Sequence, residues 1–113
     1  MKIVKKNETK KFANSAACTA WEYPLGDKDI NGAVIELNGR YPEKGFAINE
    51  KCKEMAYVVS GEGKLTTADG ETAFSADDLL LIAAGEKYYW EGRAKIFMPC
   101  VPAWYPEQHK IVP

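Results

Sequence analysis

The residues able to do chemistry in this 113-residue chain are few. Asn49, Cys52 and Glu54 lie close together and offer one amide, one thiol and one carboxylate. A metal centre needs several imidazole or thiolate ligands, or a cluster of carboxylates, so these three make a poor ligand set. Cys18, Cys52 and Cys100 are widely spaced, and none has a histidine beside it in sequence to activate it as a nucleophile. His109 is the only histidine, and Glu107 two positions before it makes an acid–base pair or part of a solvated surface. If Lys87 to Trp90 is a strand, Tyr88 and Trp90 share one face, because alternate side chains point the same way. Each has a large apolar body with a polar tip, which suits a small organic ligand or equally a filled core. By the same alternation Ile96, Met98 and Cys100 share a face if Lys95 points to solvent. Trp104 and Tyr105 sit in a loop bounded by Pro102 and Pro106, a setting for a pocket mouth or a contact between copies.

Turn signals set the spacing of the elements that must carry these residues. They fall at Pro24 to Asp27, Asn38 to Gly45, Gly61 to Gly63, Ala68 to Gly70, Gly85 to Lys87 and Gly92 to Arg93. The segments between them include Ala17 to Tyr23, Ile30 to Leu37, Met55 to Ser60, Leu79 to Ala83, Lys87 to Trp90 and Lys95 to Val101. Many short strands at near-regular spacing predict a sandwich or barrel. Phe74 to Ala84 also reads as a helix, with Ser75, Asp77 and Asp78 at its start, but the upstream turns favour a strand. A short helical turn is expected near Pro106 to Gln108.

Composition narrows the function classes. A length of 113 residues fits one domain spanning residues 1–113. The net charge of −1 and the absence of a long Lys/Arg run argue against nucleic acid. Glu8 interrupts the basic N-terminal stretch of Lys5, Lys6, Lys10 and Lys11. No apolar stretch is long enough for a membrane span, and the first residues lack the apolar core of a secretion signal. An odd number of distant cysteines points to reduced thiols and a cytoplasmic location.

Two stretches carry a family resemblance. Glu54-Met-Ala-Tyr-Val-Val-Ser-Gly61-Glu-Gly63 resembles the first motif of the cupins, with the glutamate and glycine at the family's spacing. Asp78-Leu-Leu-Leu-Ile-Ala-Ala-Gly85-Glu-Lys-Tyr88 resembles the second motif, and Pro102 to Glu107 resembles the C-terminal segment of many small cupins. The resemblance implies an all-β double-stranded β-helix, or jelly-roll barrel, with Glu54, Tyr88 and Trp90 facing its interior. The chain departs from the motifs at the metal ligands. The first two histidine positions fall on Ala47 and Asn49, or on Ile48 and Glu50, and the third falls on Tyr88. The second motif's proline, leading glycine and final asparagine are replaced by Ala83, Asp77 and Gly92. A barrel without metal or other cofactor is therefore expected. Its pocket is expected to hold a small-molecule ligand among Glu54, Tyr88, Trp90, Asn49, Cys52, Cys100 and Trp104. The alternatives are an isomerase, epimerase or lyase using Glu54 and Tyr88 as acid and base, and a filled barrel with an assembly role. Small cupins resemble one another in pairing by their outer sheets, so a homodimer is expected, with Trp21 and Tyr23 on one face of a strand as a contact.

Overall fold

A computed structural model describes all 113 residues as nine strands and two short 3₁₀ turns. The strands are β1 (Lys10–Ser15), β2 (Cys18–Tyr23), β3 (Asn31–Tyr41), β4 (Phe46–Asn49), β5 (Lys53–Thr67), β6 (Gly70–Ser75), β7 (Leu79–Ile82), β8 (Lys87–Val101) and β9 (His109–Val112). All pairings are antiparallel. β8 is the central strand, with β3 along one side and β5 along the other. β2 and β1 extend the sheet beyond β3. Beyond β5, β7 covers one half and β6 the other. β4 pairs with the start of β8, and β9 pairs with β4.

Strict alternation sets the inward face. In β8, Tyr88, Trp90, Ala94, Ile96, Met98 and Cys100 are buried, and in β5 Glu54, Ala56 and Val58 are. The expected inward row of Ile96, Met98 and Cys100 is therefore present. Leu37, Leu65, Phe74 and Ile82 join this core. Segment Phe74 to Ala84 is not a helix. It is the end of β6, a tight turn and β7, and Asp78 accepts the Ser75 N–H at 2.8 Å within the turn. The 3₁₀ turn at Pro106–Gln108 is where the sequence placed it.

Two expected turns, Gly61 to Gly63 and Gly92 to Arg93, are strand interior instead, and so is the first half of the expected turn Asn38 to Gly45, where β3 runs on to Tyr41. Lys87 to Trp90 and Lys95 to Val101 are one continuous β8. The glycines there serve close backbone approach rather than chain reversal. Gly39, Gly92 and Gly63 face one another across β3, β8 and β5 and form a seam without side chains. A Cβ at Gly63 would lie 2.2 Å from the Glu91 carbonyl oxygen, and one at Gly92 2.4 Å from that of Glu62. Here the long strands bend, curling the sheet. The short strands β1, β4, β6 and β9 lack a periodic pattern of their own and escape sequence reading.

Gly63→Ala forces a methyl group into backbone and should lower unfolding free energy by about 2–3 kcal/mol in urea titration, as overpacking does. Gly32→Ala, whose new methyl meets the side chain of exposed Phe97 at 3.2 Å and backbone only at an ordinary 3.9 Å, should lose less. Equal losses would contradict a close-packed seam.

Candidate active site

The bend brings distant ends of one ladder together. Glu54 pairs with Cys100 at one end of the β5–β8 ladder, and Thr67 pairs with Tyr88 at the other. On a flat sheet these ends would stand roughly 40 Å apart at 3.3 Å per residue. Instead Glu54 and Tyr88 hydrogen-bond the same amide, that of Asn49 at the end of β4. Its Nδ2 donates to Glu54 Oε1 and, over a long 3.5 Å contact, to the Tyr88 hydroxyl. Asn49 Oδ1 accepts from Trp104 Nε1 at 3.3 Å, Gln108 Nε2 at 3.0 Å and His109 Nδ1 at 2.8 Å. His109 is directly opposite Asn49 in the β4–β9 ladder, which explains the short contact.

These bonds determine where protons sit. An indole N–H can only donate, so the Asn49 carbonyl faces Trp104 and His109 and its NH₂ faces Glu54. His109 therefore carries its proton on Nδ1. Burial lowers its pKa and favours the neutral ring, leaving Nε2 to accept the Tyr41 hydroxyl at 3.0 Å. Tyr88 accepts from Asn49 and donates to no protein group, so its hydroxyl hydrogen is free for the cavity. Burial, then the neighbouring Glu54, raises the Tyr88 pKa well above its ordinary value, and burial raises that of Tyr41 to about 12. Both phenols stay protonated at neutral pH. Burial pushes Glu54 up to about 7, against the opposing pull of its bond from Asn49. A carboxyl group poised at neutrality in a cavity has the acidity needed for proton transfer.

The cavity is about 120 Å³ and is lined mainly by apolar residues. Glu54, Tyr88, Trp90, Cys100 and Trp104 all reach it, as do Tyr41 and His109. Trp90 is buttressed edge-to-face by Phe74, with ring centres 5.4 Å apart. Asn49 is one layer behind the wall and acts through the groups it holds.

Three sequence expectations need correction. Asn49 was expected to line the pocket and instead sits behind its wall, bonded to Glu54 and Tyr88. Cys52 does not line the cavity. It is fully buried where the backbone N–H groups of Lys51 and Cys52 bond the Gln108 side chain. Glu107 and His109 do not form an acid–base pair. The two positions diverge because His109 turns inward on β9, while Glu107 is exposed on the preceding turn. Sequence reasoning missed Tyr41, which lies at the end of a long strand disguised by Gly39, and Gln108. The only signal for His109 was its being the sole imidazole. No three His, Cys, Asp or Glu side chains converge on a point, so the residues present do not fit a metal ion.

No family model matches the chain, and neither does any curated protein sequence. Solved structures do match. Pac13, a nucleoside dehydratase from Streptomyces, superposes with a TM-score of 0.88 at 17% identity over 99% of this chain and 91% of its own. Variants of that protein are solved with uridine. The polyketide cyclase RemF of Streptomyces resistomycificus gives 0.73 at 18% identity, covering 99% of this chain and 85% of that one. A sugar phosphate isomerase of the cupin superfamily from Silicibacter pomeroyi gives 0.68 at 13% identity, covering 88% and 75%. The architecture is thus the cupin barrel.

The Glu54 pKa has a consequence for stability. Its folded value of about 7 lies above the ordinary 4.5, so the protonated form is favoured by folding. The resulting stability is full below pH 4.5 and is lost as pH rises through 7. A shift of this size corresponds to about 3 kcal/mol. The stability difference between Glu54→Gln and the parent should grow in the variant's favour across that window, read by urea unfolding at several pH values. A constant difference would refute the shift.

Proposed function

We propose that this cupin-fold chain is an acid–base enzyme of the lyase class that removes water from a small polar molecule. The observation that carries the reading is Glu54. It is a buried carboxyl group with a pKa of about 7, placed at the cavity beside a phenol whose proton is unclaimed by the protein. The likeness to Pac13, a nucleoside dehydratase, spans nearly the whole chain and supports this class of chemistry.

In the proposed step, ionised Glu54 takes a proton from a carbon next to a carbonyl group. The C–H electron pair moves toward that carbonyl, and the oxygen gains negative charge. Tyr88 donates its free hydrogen bond to this oxygen, and its raised pKa keeps it a donor throughout. The enolate then forms the new C=C bond as the neighbouring C–O bond breaks. Protonated Glu54 returns its proton to the departing hydroxyl, which leaves as water. Atoms and charge balance without a second base. Asn49 positions Glu54 and Tyr88, and His109 and Tyr41 fix the orientation of Asn49.

Nucleosides and sugars carrying a carbonyl next to a C–H should lose one water by mass spectrometry, or gain deuterium at that carbon in D₂O. Glu54→Gln should reduce kcat by at least ~10²-fold, and kcat/KM should rise with pH to a plateau above about 7. Ligand-induced stabilisation with neither water loss nor deuterium uptake would instead make the chain a binding module.

We also infer that two copies pair through the outer face of the sheet. Trp21, Val34, Phe97, Tyr57 and Leu79 are successive cross-strand partners from β2 to β7. Met55 and Leu81, themselves paired, extend the patch and are exposed by 44% and 65%. An apolar area this continuous favours a self-complementary contact, and a net charge of −1 opposes it little. Light scattering at micromolar concentration should give a dimer. Leu81→Lys should give a folded monomer. A monomeric parent would overturn the inference.

A further inference from the structure

The cavity wall has a second carboxylate. Glu22 is the last inward residue of the β2 row Cys18, Ala20, Glu22, and it lines the same cavity as Glu54. It makes no hydrogen bond to another side chain or backbone group, so its oxygens are available to a ligand. Its surroundings are partly desolvated, which raises its pKa, while Lys10 opposite it on β1 pulls the other way. Lys10 is exposed and does not line the cavity. No lysine or arginine does, and His109, the one other basic group there, is held neutral by burial. The other polar lining groups are uncharged: Asn14, Asn31, Tyr41, Tyr88 and Trp104.

From this charge distribution we propose that Glu22 is a specificity-determining residue that excludes anionic molecules and restricts the site to uncharged or cationic ligands. Phosphate esters and carboxylates meet the Glu22 carboxylate, and Glu54 where it is ionised, with no cationic side chain lining the cavity to offset them, so like charges repel. A neutral polyol or nucleoside instead finds an oxygen acceptor in Glu22 for its hydroxyl groups. The substrate class rests on the proposed acid–base site, but the charge selection itself does not.

The test measures the cavity's potential without requiring a substrate. Ala33 lines the cavity and is the direct cross-strand partner of Glu22. A thiol placed there by Ala33→Cys reports on charge beside Glu22, since directly opposite residues hold their Cβ atoms about 5 Å apart. Labelling rates are measured with a cationic and an anionic methanethiosulfonate, subtracting the parent's three buried cysteines as background. The cationic-to-anionic rate ratio should exceed that of a free thiol at least tenfold and fall at least threefold when Glu22→Gln is added. A ratio equal to that of the free thiol, or one unmoved by Glu22→Gln, overturns the proposal. So does a thiol that neither reagent reaches. In parallel, uridine and uridine monophosphate are compared by calorimetry on the parent. Tighter binding of the monophosphate also overturns the proposal. If the labelling ratio is as expected but neither compound binds and no water loss is seen, the fault lies in the acid–base reading and not in the charge selection.

Discussion

Everything at the site depends on β5 and β8 bending at one line. Two strands of 15 residues cannot stay straight inside a molecule whose longest extent is 40 Å and still place both their ends on one cavity. The bend requires backbone to approach backbone, and the missing side chains of Gly63 and Gly92 allow it. Gly39 continues the same line into β3, so all three central strands turn together. Tyr88 then arrives opposite Glu54, although nearly the full ladder separates them.

Once the ends meet, one amide organises the polar groups. Asn49 has two donor hydrogens, directed at Glu54 and Tyr88, and a single oxygen facing Trp104, Gln108 and His109. Few side chains other than an amide can present donors on one side and an acceptor on the other in so small a volume. The arrangement fixes the histidine tautomer, keeps Tyr41 bonded to the ring and leaves Tyr88 with its proton directed at the cavity. The carboxylate remains acidic enough to ionise near neutrality because Asn49 bonds its charged form, against a burial effect that is larger.

Much of the fold was legible in the chain, for definable reasons. The alternation through Lys95 to Val101 correctly assigned the inward row of Ile96, Met98 and Cys100, whereas Met55 to Ser60 is apolar on both faces and carried no such signal. Glu54, Tyr88 and Trp90 were legible because their spacing resembles a known pair of motifs. Glycine misled at Gly61 to Gly63 and Gly92 to Arg93, since its sequence signature is the same for a chain reversal and for close strand contact. His109 was underestimated because nearness to the chain terminus says nothing about a terminal strand that pairs inward. Asn49 was placed in the site by motif counting alone, and nothing in the sequence announced its five side-chain partners. Glu22 and Tyr41 reach the cavity through ladders that only the folded sheet defines.

The position of β8 in the chain affects how the protein is made. It is the partner shared by β3 and β5, yet it is the last of the long strands to be synthesised. A nascent chain therefore leaves the ribosome with β3 open along its whole β8-facing edge. β5 is in the same state, and although β2, β6 and β7 can pair early, neither β8-facing edge is filled until β8 has emerged. Local hairpins can form early, but the barrel closes only by pairings between residues distant in the chain, such as Asn31 with Cys100, which are slow to nucleate. During that interval the open edges can recruit strands of other nascent chains. Translation speed through the β8 codons, and chaperone cover over the preceding segments, are thus expected to influence yield.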